Sequence, residues 1–270
     1  MGLFGKPERR SLERVPLPTV IPTLQTASVG AAYSTVRTGG DFFEFLHTNS
    51  NVLFLAMFDI AGKRAAALEL AADLQSTMRE RADALLQQHG NVNDALSALT
   101  LELNREIIQK EGVHNSPAFI AAYEEETAIL SYINAGHTPA LLRDQDGVEE
   151  LGAGGVPLGL FSHVVHEPRL TVVRDGAVLI IPSRGVVEAK AGSKEFGLDG
   201  VREVIVTANY DSASELSDTV VKSAETFISA PGFWGPRISI PGFSDHEPND
   251  ITVIALMRPA AGATATAAAR

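Results

Sequence analysis

Residues 51–63 read NVLFLAMFDIAGK. From Asn51 to Phe58 the stretch is almost continuously apolar, the pattern of a strand covered on both faces. It stops at Asp59-Ile60-Ala61-Gly62-Lys63, and a long helical stretch follows from about Arg64 to Gln88, rich in Ala, Leu, Glu and Arg and closed by Gly90. Upstream, an extended stretch runs from Ser28 to Val36, and Thr38-Gly39-Gly40-Asp41 marks a turn before a partner strand. Downstream, a second helix spans about Asn93 to Lys110, with Asn91 or Asn93 as its N-cap.

From Pro117 to Pro182 the pattern changes to short strands: FIAAYE, AILSYIN, ALLRD, RLTVV and AVLIIP, separated by turn residues such as Asp146-Gly147 and Asp175-Gly176. Helices are expected near 199–208 and 213–229, then a Pro/Gly-rich loop over 231–248, and a last strand, ITVIALM, from Ile251 to Met257. Strands at both ends with helix pairs between them suit one layered α/β domain over residues 21–258. Residues 1–20 read as a polar, proline-punctuated lead-in, and residues 259–270, rich in Ala and Thr, as a disordered tail.

Composition excludes several functions. With 33 Asp and Glu against 22 Lys and Arg, the formal net charge is −11, and no Lys/Arg cluster is present to hold a nucleic-acid backbone. The chain has no cysteine, so disulfides and thiolate metal sites are ruled out. No apolar run approaches the roughly 20 residues that span a bilayer. The N-terminal MGLFGKPERR has no apolar stretch of the secretory kind, and Lys6 breaks a myristoylation motif. The expectation is a cytoplasmic protein without membrane or nucleic-acid partners.

Chemistry points to the strand ends. Asp59 closes a buried strand and Asp41 precedes its partner, so a hairpin brings two carboxylates to one sheet end. Hard divalent cations such as Mg2+ or Mn2+ take such oxygen ligands. Acidic residues at strand ends are also commonly solvated or cap a helix.

The order of the segments adds a resemblance. Gly39-Gly40-Asp41-Phe42-Phe43-Glu44-Phe45, Asp59-Ile60-Ala61-Gly62-Lys63, Asn134-Ala135-Gly136-His137-Thr138-Pro139 and Gly155-Val156-Pro157-Leu158-Gly159 follow one another along the chain. After them come Ser183-Arg184-Gly185-Val186-Val187-Glu188-Ala189, Glu195-Phe196-Gly197 and Asn249-Asp250-Ile251-Thr252. In that order and spacing the chain, from about residue 21 to 258, resembles the SpoIIE/RsbU branch of the PPM-type (type 2C-like) serine/threonine phosphatases. The resemblance implies an α-β-β-α sandwich, two antiparallel sheets flanked by helices, with a binuclear Mn2+/Mg2+ site at one end. It implies Asp41 and Asp59 as metal ligands, Asp59 bridging, joined by the Ile60 carbonyl. His137 either orients a loop near the site or is structural.

The sequence also departs from that pattern. Where the family usually has Thr-Asp-Gly and Asp-Asp-x-Thr, this chain has Ser183-Arg184-Gly185 and Asn249-Asp250-Ile251-Thr252. Two ligand carboxylates are thus replaced by Arg184 and Asn249, and Ala121 stands where the family usually has Thr. Two carboxylates and one guanidinium sum to a formal charge of about −1, too little to balance a second divalent cation, which Arg184 would also repel. Asp250 does not simply substitute for Asn249, because adjacent residues entering a strand face opposite sides. At most one cation, weakly held near Asp41 and Asp59, is expected, or none.

Three functions follow from these expectations: a weakened serine/threonine phosphatase, a pseudophosphatase that binds a regulatory partner, or a folded domain with a relict site. The partner implied is a phosphoprotein regulator such as an anti-sigma factor antagonist, and a homodimer is a further possibility. Arg184 either holds a phosphate bidentately or pairs with Asp59 or Asp41. Phe233, Trp234 and Phe243 in the 231–248 loop are candidate anchors for a partner, or a satellite cluster on the domain.

Overall fold

The computed structural model describes residues 14–34, 40–229 and 249–261. The chain opens with strands β1 (Ser28–Tyr33), β2 (Asp41–His47) and β3 (Val52–Asp59), then helices α1 (Arg64–His89) and α2 (Val92–Gln109). Strands β4 (Ala118–Glu124), β5 (Ile129–Ala135), β6 (Ala140–Asp144), β7 (Gly147–Leu151), β8 (Arg169–Val172) and β9 (Val178–Pro182) follow. After them come the short helix α3 (Arg184–Val187), the small hairpin β10 (Lys190–Ala191) and β11 (Lys194–Glu195), helices α4 (Gly197–Thr207) and α5 (Ala213–Ser229), and strand β12 (Thr252–Met257). The loop aromatics Phe233, Trp234 and Phe243 lie outside the described residues.

Two five-stranded antiparallel sheets form, in the orders β1-β12-β9-β6-β7 and β2-β3-β4-β5-β8. The apolar run from Asn51 to Phe58 explains why they stack. Along β3, Leu53, Leu55 and Met57 point into the space between the sheets, where they meet Leu179, Ile181, Ile254 and Leu256. The alternate residues Phe54, Ala56 and Phe58 point outward and are covered by Leu70, Leu74 and Met78 of α1 and Leu96, Leu99 and Leu103 of α2. A strand with side chains of period two needs a cover on each face when both sets are apolar. The second sheet repeats the arrangement, with Ile180, Val253 and Ala255 packed on Val201, Ile205, Leu216 and Val220 of α4 and α5. The layers therefore run α-β-β-α.

Local signals place the helix boundaries. Gly90 ends α1 with φ 69°, a left-handed conformation that glycine adopts without steric cost. The Asn91 side chain then caps α2 by accepting from the Asp94 N–H at 2.9 Å. Four elements go beyond what the sequence predicts: β7, α3 and the two strands of the β10–β11 hairpin. β7 pairs with β6 at the sheet edge and buries only Leu151, so its mostly polar sequence, GVEEL, gives little apolar alternation to detect.

The described part of the lead-in, from residue 14, is bound to the domain rather than trailing from it. Gln75 of α1 accepts from the Leu17 N–H at 2.7 Å and donates to the Leu17 carbonyl at 2.9 Å. Thr19 donates to the Phe43 carbonyl at 2.9 Å, and Arg14 pairs with Asp73 at 2.7 Å. Among the described residues no helix is long and apolar enough to cross a membrane.

Candidate functional site

The site lies where the ends of the two sheets meet. Asp41, the first residue of β2, is the direct cross-strand partner of Asp59, the last residue of β3, so the hairpin juxtaposes the two carboxylates. Gly40 makes the approach possible. The Ile60 N–H donates to the Gly40 carbonyl at 3.1 Å, and a Cβ on Gly40 would sit 1.9 Å from the Ile60 oxygen. Asp59 is fixed from its other side as well: its N–H donates to the Pro117 carbonyl at 2.9 Å, and its carbonyl accepts from the Ser116 hydroxyl at 3.0 Å.

The second sheet supplies the opposing wall. Ser183, fully buried after β9, donates its N–H to the Thr252 carbonyl at 2.8 Å. Its hydroxyl accepts from the Thr252 N–H at 3.1 Å and donates to the Asp250 carbonyl at 2.9 Å. Gly185 lies so close to that carbonyl that a Cβ would be 2.1 Å from it. With the backbone held this way, Arg184 reaches across to the other sheet, and its Nε lies 3.2 Å from Asp59 Oδ2. Arg184 thus faces Asp59 across the junction of the two sheets. The Arg184 side chain is half exposed.

Asn249 is exposed and donates from its amide to Glu188 at 2.9 Å, whereas Asp250 beside it is buried. The two neighbours therefore have different surroundings, as alternation at a strand entrance requires. The sequence reading gave Glu188 and Ser183 no role. Both stand inside the 183–189 motif, but their partners come from a segment more than sixty residues away.

Electrostatics follow from this crowding. Burial pushes Asp41 up to about 7; the hydroxyls of Ser183 and Thr252 pull it back down, and the charges of Asp59 and Asp250 add to the rise. Burial also raises Asp59, Arg184 opposes that rise, and Glu188 and Asp250 reinforce it. His137 is held within its own turn. It is buried, its Nδ1 lies 3.0 Å from the Thr138 carbonyl, its N–H donates to the Asn134 side chain at 2.8 Å, and burial lowers its pKa to about 4. Next to it Gly136, at φ 72°, packs on Pro157, so the 134–139 and 155–159 motifs brace each other.

The folded donor set differs from the one the resemblance implies for a pair of divalent cations. Two hard cations need several anionic oxygens arriving from both sheets. The first sheet offers Asp41, Asp59 and the Ile60 carbonyl; on the second side a guanidinium lies on Asp59, an amide is bound to Glu188, and the nearby carboxylates are those of Glu188 and the buried Asp250. Among the described residues no group of three or more His, Asp or Glu side chains converges to hold a metal ion.

Several solved structures share the fold. The RsbU and RsbW domains of Rv1364c from Mycobacterium tuberculosis superpose with a TM-score of 0.63 at 21% identity, covering 90% of this chain and 63% of that one. The PP2C phosphatase domain with a regulatory-domain fragment of the cell fate determinant SpoIIE from Bacillus subtilis gives 0.65 at 16% identity, over 87% and 64%. RsbX in complex with magnesium gives 0.58 at 13% identity, over 88% and 98%. In sequence, Protein IcfG of Synechocystis sp. (strain ATCC 27184 / PCC 6803 / Kazusa) is 24% identical over 234 residues, 78% of this chain, which spans only 37% of that protein. The family model of Stage II sporulation protein E matches residues 49–235, well over half of the sequence, and the chain belongs to the SpoIIE family.

Proposed function

We propose that this chain is a pseudophosphatase: a signalling module on a phosphatase fold that binds a phosphoprotein regulator and hydrolyses its phosphate poorly or not at all. The observation that carries this reading is the Arg184 guanidinium 3.2 Å from Asp59, at a position that the resemblance gives to a metal-binding carboxylate. A cation fixed there repels a divalent ion and leaves one weakly held Mn2+ or Mg2+ at most, near Asp41, Asp59 and the Ile60 carbonyl. Arg184 contacts Asp59 through Nε and is half exposed, and in this reading its guanidinium also meets a phosphoryl oxygen of the partner. The partner that the resemblance suggests is a small phosphorylated regulator of the anti-sigma factor antagonist kind.

A second reading, a weakly active serine/threonine phosphatase, is favoured by the intact register pair Asp41–Asp59. Turnover of p-nitrophenyl phosphate with Mn2+ separates the two. The wild type is expected near background, and the double variant Arg184→Asp with Asn249→Asp is expected to rise above it, because it restores four carboxylates. Robust wild-type turnover that Asp59→Asn abolishes would establish the second reading instead.

A further inference from the structure

The Arg184–Asp59 contact joins the two sheets. Asp59 ends β3, which belongs to the sheet covered by α1 and α2, and Arg184 opens α3 directly after β9 of the other sheet. Both ends are anchored by backbone. Asp59 is held by the Pro117 carbonyl and the Ser116 hydroxyl, and Arg184 sits between Ser183, bonded to Asp250 and Thr252, and Gly185, pressed on the Asp250 carbonyl. Such anchoring lowers the side-chain entropy cost that weakens ordinary surface ion pairs. The surroundings are acidic: Asp41 is the register partner of Asp59, and Glu188 and Asp250 both act on Asp59 in the sense opposite to Arg184. Without a positive charge, this end of the sandwich would hold like charges in a half-buried space.

We propose that the Arg184 guanidinium is the resident cation of this site, standing on Asp59 in place of a divalent metal and clasping the two sheets, so that the site is closed and stable without metal. This rests on the reading above only in concerning the same site, and it can fail separately. It also predicts a latent response: once the guanidinium is removed, Asp41 and Asp59 are left to recruit a divalent ion.

Thermal unfolding with and without millimolar Mn2+ at neutral pH tests it without reading activity. The wild type is expected to move by less than about 1 °C on adding Mn2+, and Arg184→Ala to melt about 2–4 °C lower and to recover that loss with Mn2+. Arg184→Lys, which keeps the charge, should stay within about 1 °C of the wild type. Adding Asp59→Asn to Arg184→Ala should abolish the Mn2+ response. If Arg184→Ala is insoluble, Arg184→Met, which keeps the aliphatic stem, serves the same comparison. A wild-type melting temperature that climbs several degrees with Mn2+ overturns the inference, as does an Arg184→Ala protein that neither loses stability nor gains a Mn2+ response. A wild type that is silent toward p-nitrophenyl phosphate yet stabilised by Mn2+ would sink this inference and leave the pseudophosphatase reading standing.

Discussion

Gly40 and Gly152 make a useful contrast, because the same substitution meets opposite surroundings. A Cβ on Gly40 would lie 1.9 Å from the Ile60 oxygen, a backbone atom that cannot move without displacing Asp59. A Cβ on Gly152 would meet nothing within 4 Å among the described residues. Gly40→Ala is therefore expected to cost about 3 kcal/mol, the upper range for overpacking, and Gly152→Ala to stay within about 0.5 kcal/mol of neutral. Urea unfolding of the two variants checks this, and equal midpoints would show that the hairpin end relaxes freely. The contrast explains part of the Gly-Gly-Asp motif: the glycine before Asp41 is what lets the two acidic residues share a strand end. The motif could be quoted from sequence, but the clash that requires it involves Ile60, twenty positions later.

At the scale of elements, a buried charge connects β2, α1 and the lead-in. Glu44, three residues beyond Asp41, is 1% exposed. Its carboxylate accepts from Gln75 at 2.6 Å, from Arg79 at 2.9 Å and 3.2 Å, and from Thr19 at 3.1 Å. Removing Arg79 leaves that carboxylate buried with neutral donors only, a loss of about 2 kcal/mol once the partial exposure of Arg79 is allowed for. Arg79→Ala should lower the urea midpoint by that amount and speed proteolysis near residues 14–20. Arg81→Ala, which breaks the more exposed pair with Glu102 between α1 and α2, should cost less. Matching losses would mean that the Glu44 cluster is not a tie between elements. None of this was legible beforehand, since Glu44 sits in an apolar strand where a polar residue has no partner within its own window.

For the molecule as a whole, acid stability carries a separable signature. His137 has its pKa lowered to about 4 by burial, against 6.5 when unfolded. Between those values the unfolded chain binds more protons, so the His137 contribution rises with pH through about 4 to 6.5 and is complete above it, a span of about 3 kcal/mol. Asp41, raised from 3.8 to about 7, gives the opposite slope: its folded form binds more protons, and stability falls as pH rises across that window. The His137 term is thus read as the difference between wild type and His137→Asn, whose amide nitrogen can replace the Nδ1 donor. Urea titrations over this range should show a shallower rise, or a steeper fall, in the variant. Parallel curves would mean that His137 titrates alike in both states. By itself, the sequence determined most of the elements, and its ordered motifs pointed to their layering through a family resemblance. The two-faced apolar run of β3, the Gly90–Asn91 boundary between α1 and α2, and the ordered motifs are local patterns set by backbone periodicity and steric preference. The tertiary structure decided the character of the site. Whether Arg184 met Asp59, Asp41 or solvent, and whether Asn249 bound Glu188, depended on how two sheets from distant segments converge. A charge finds its partner through space, at a range that no residue window contains.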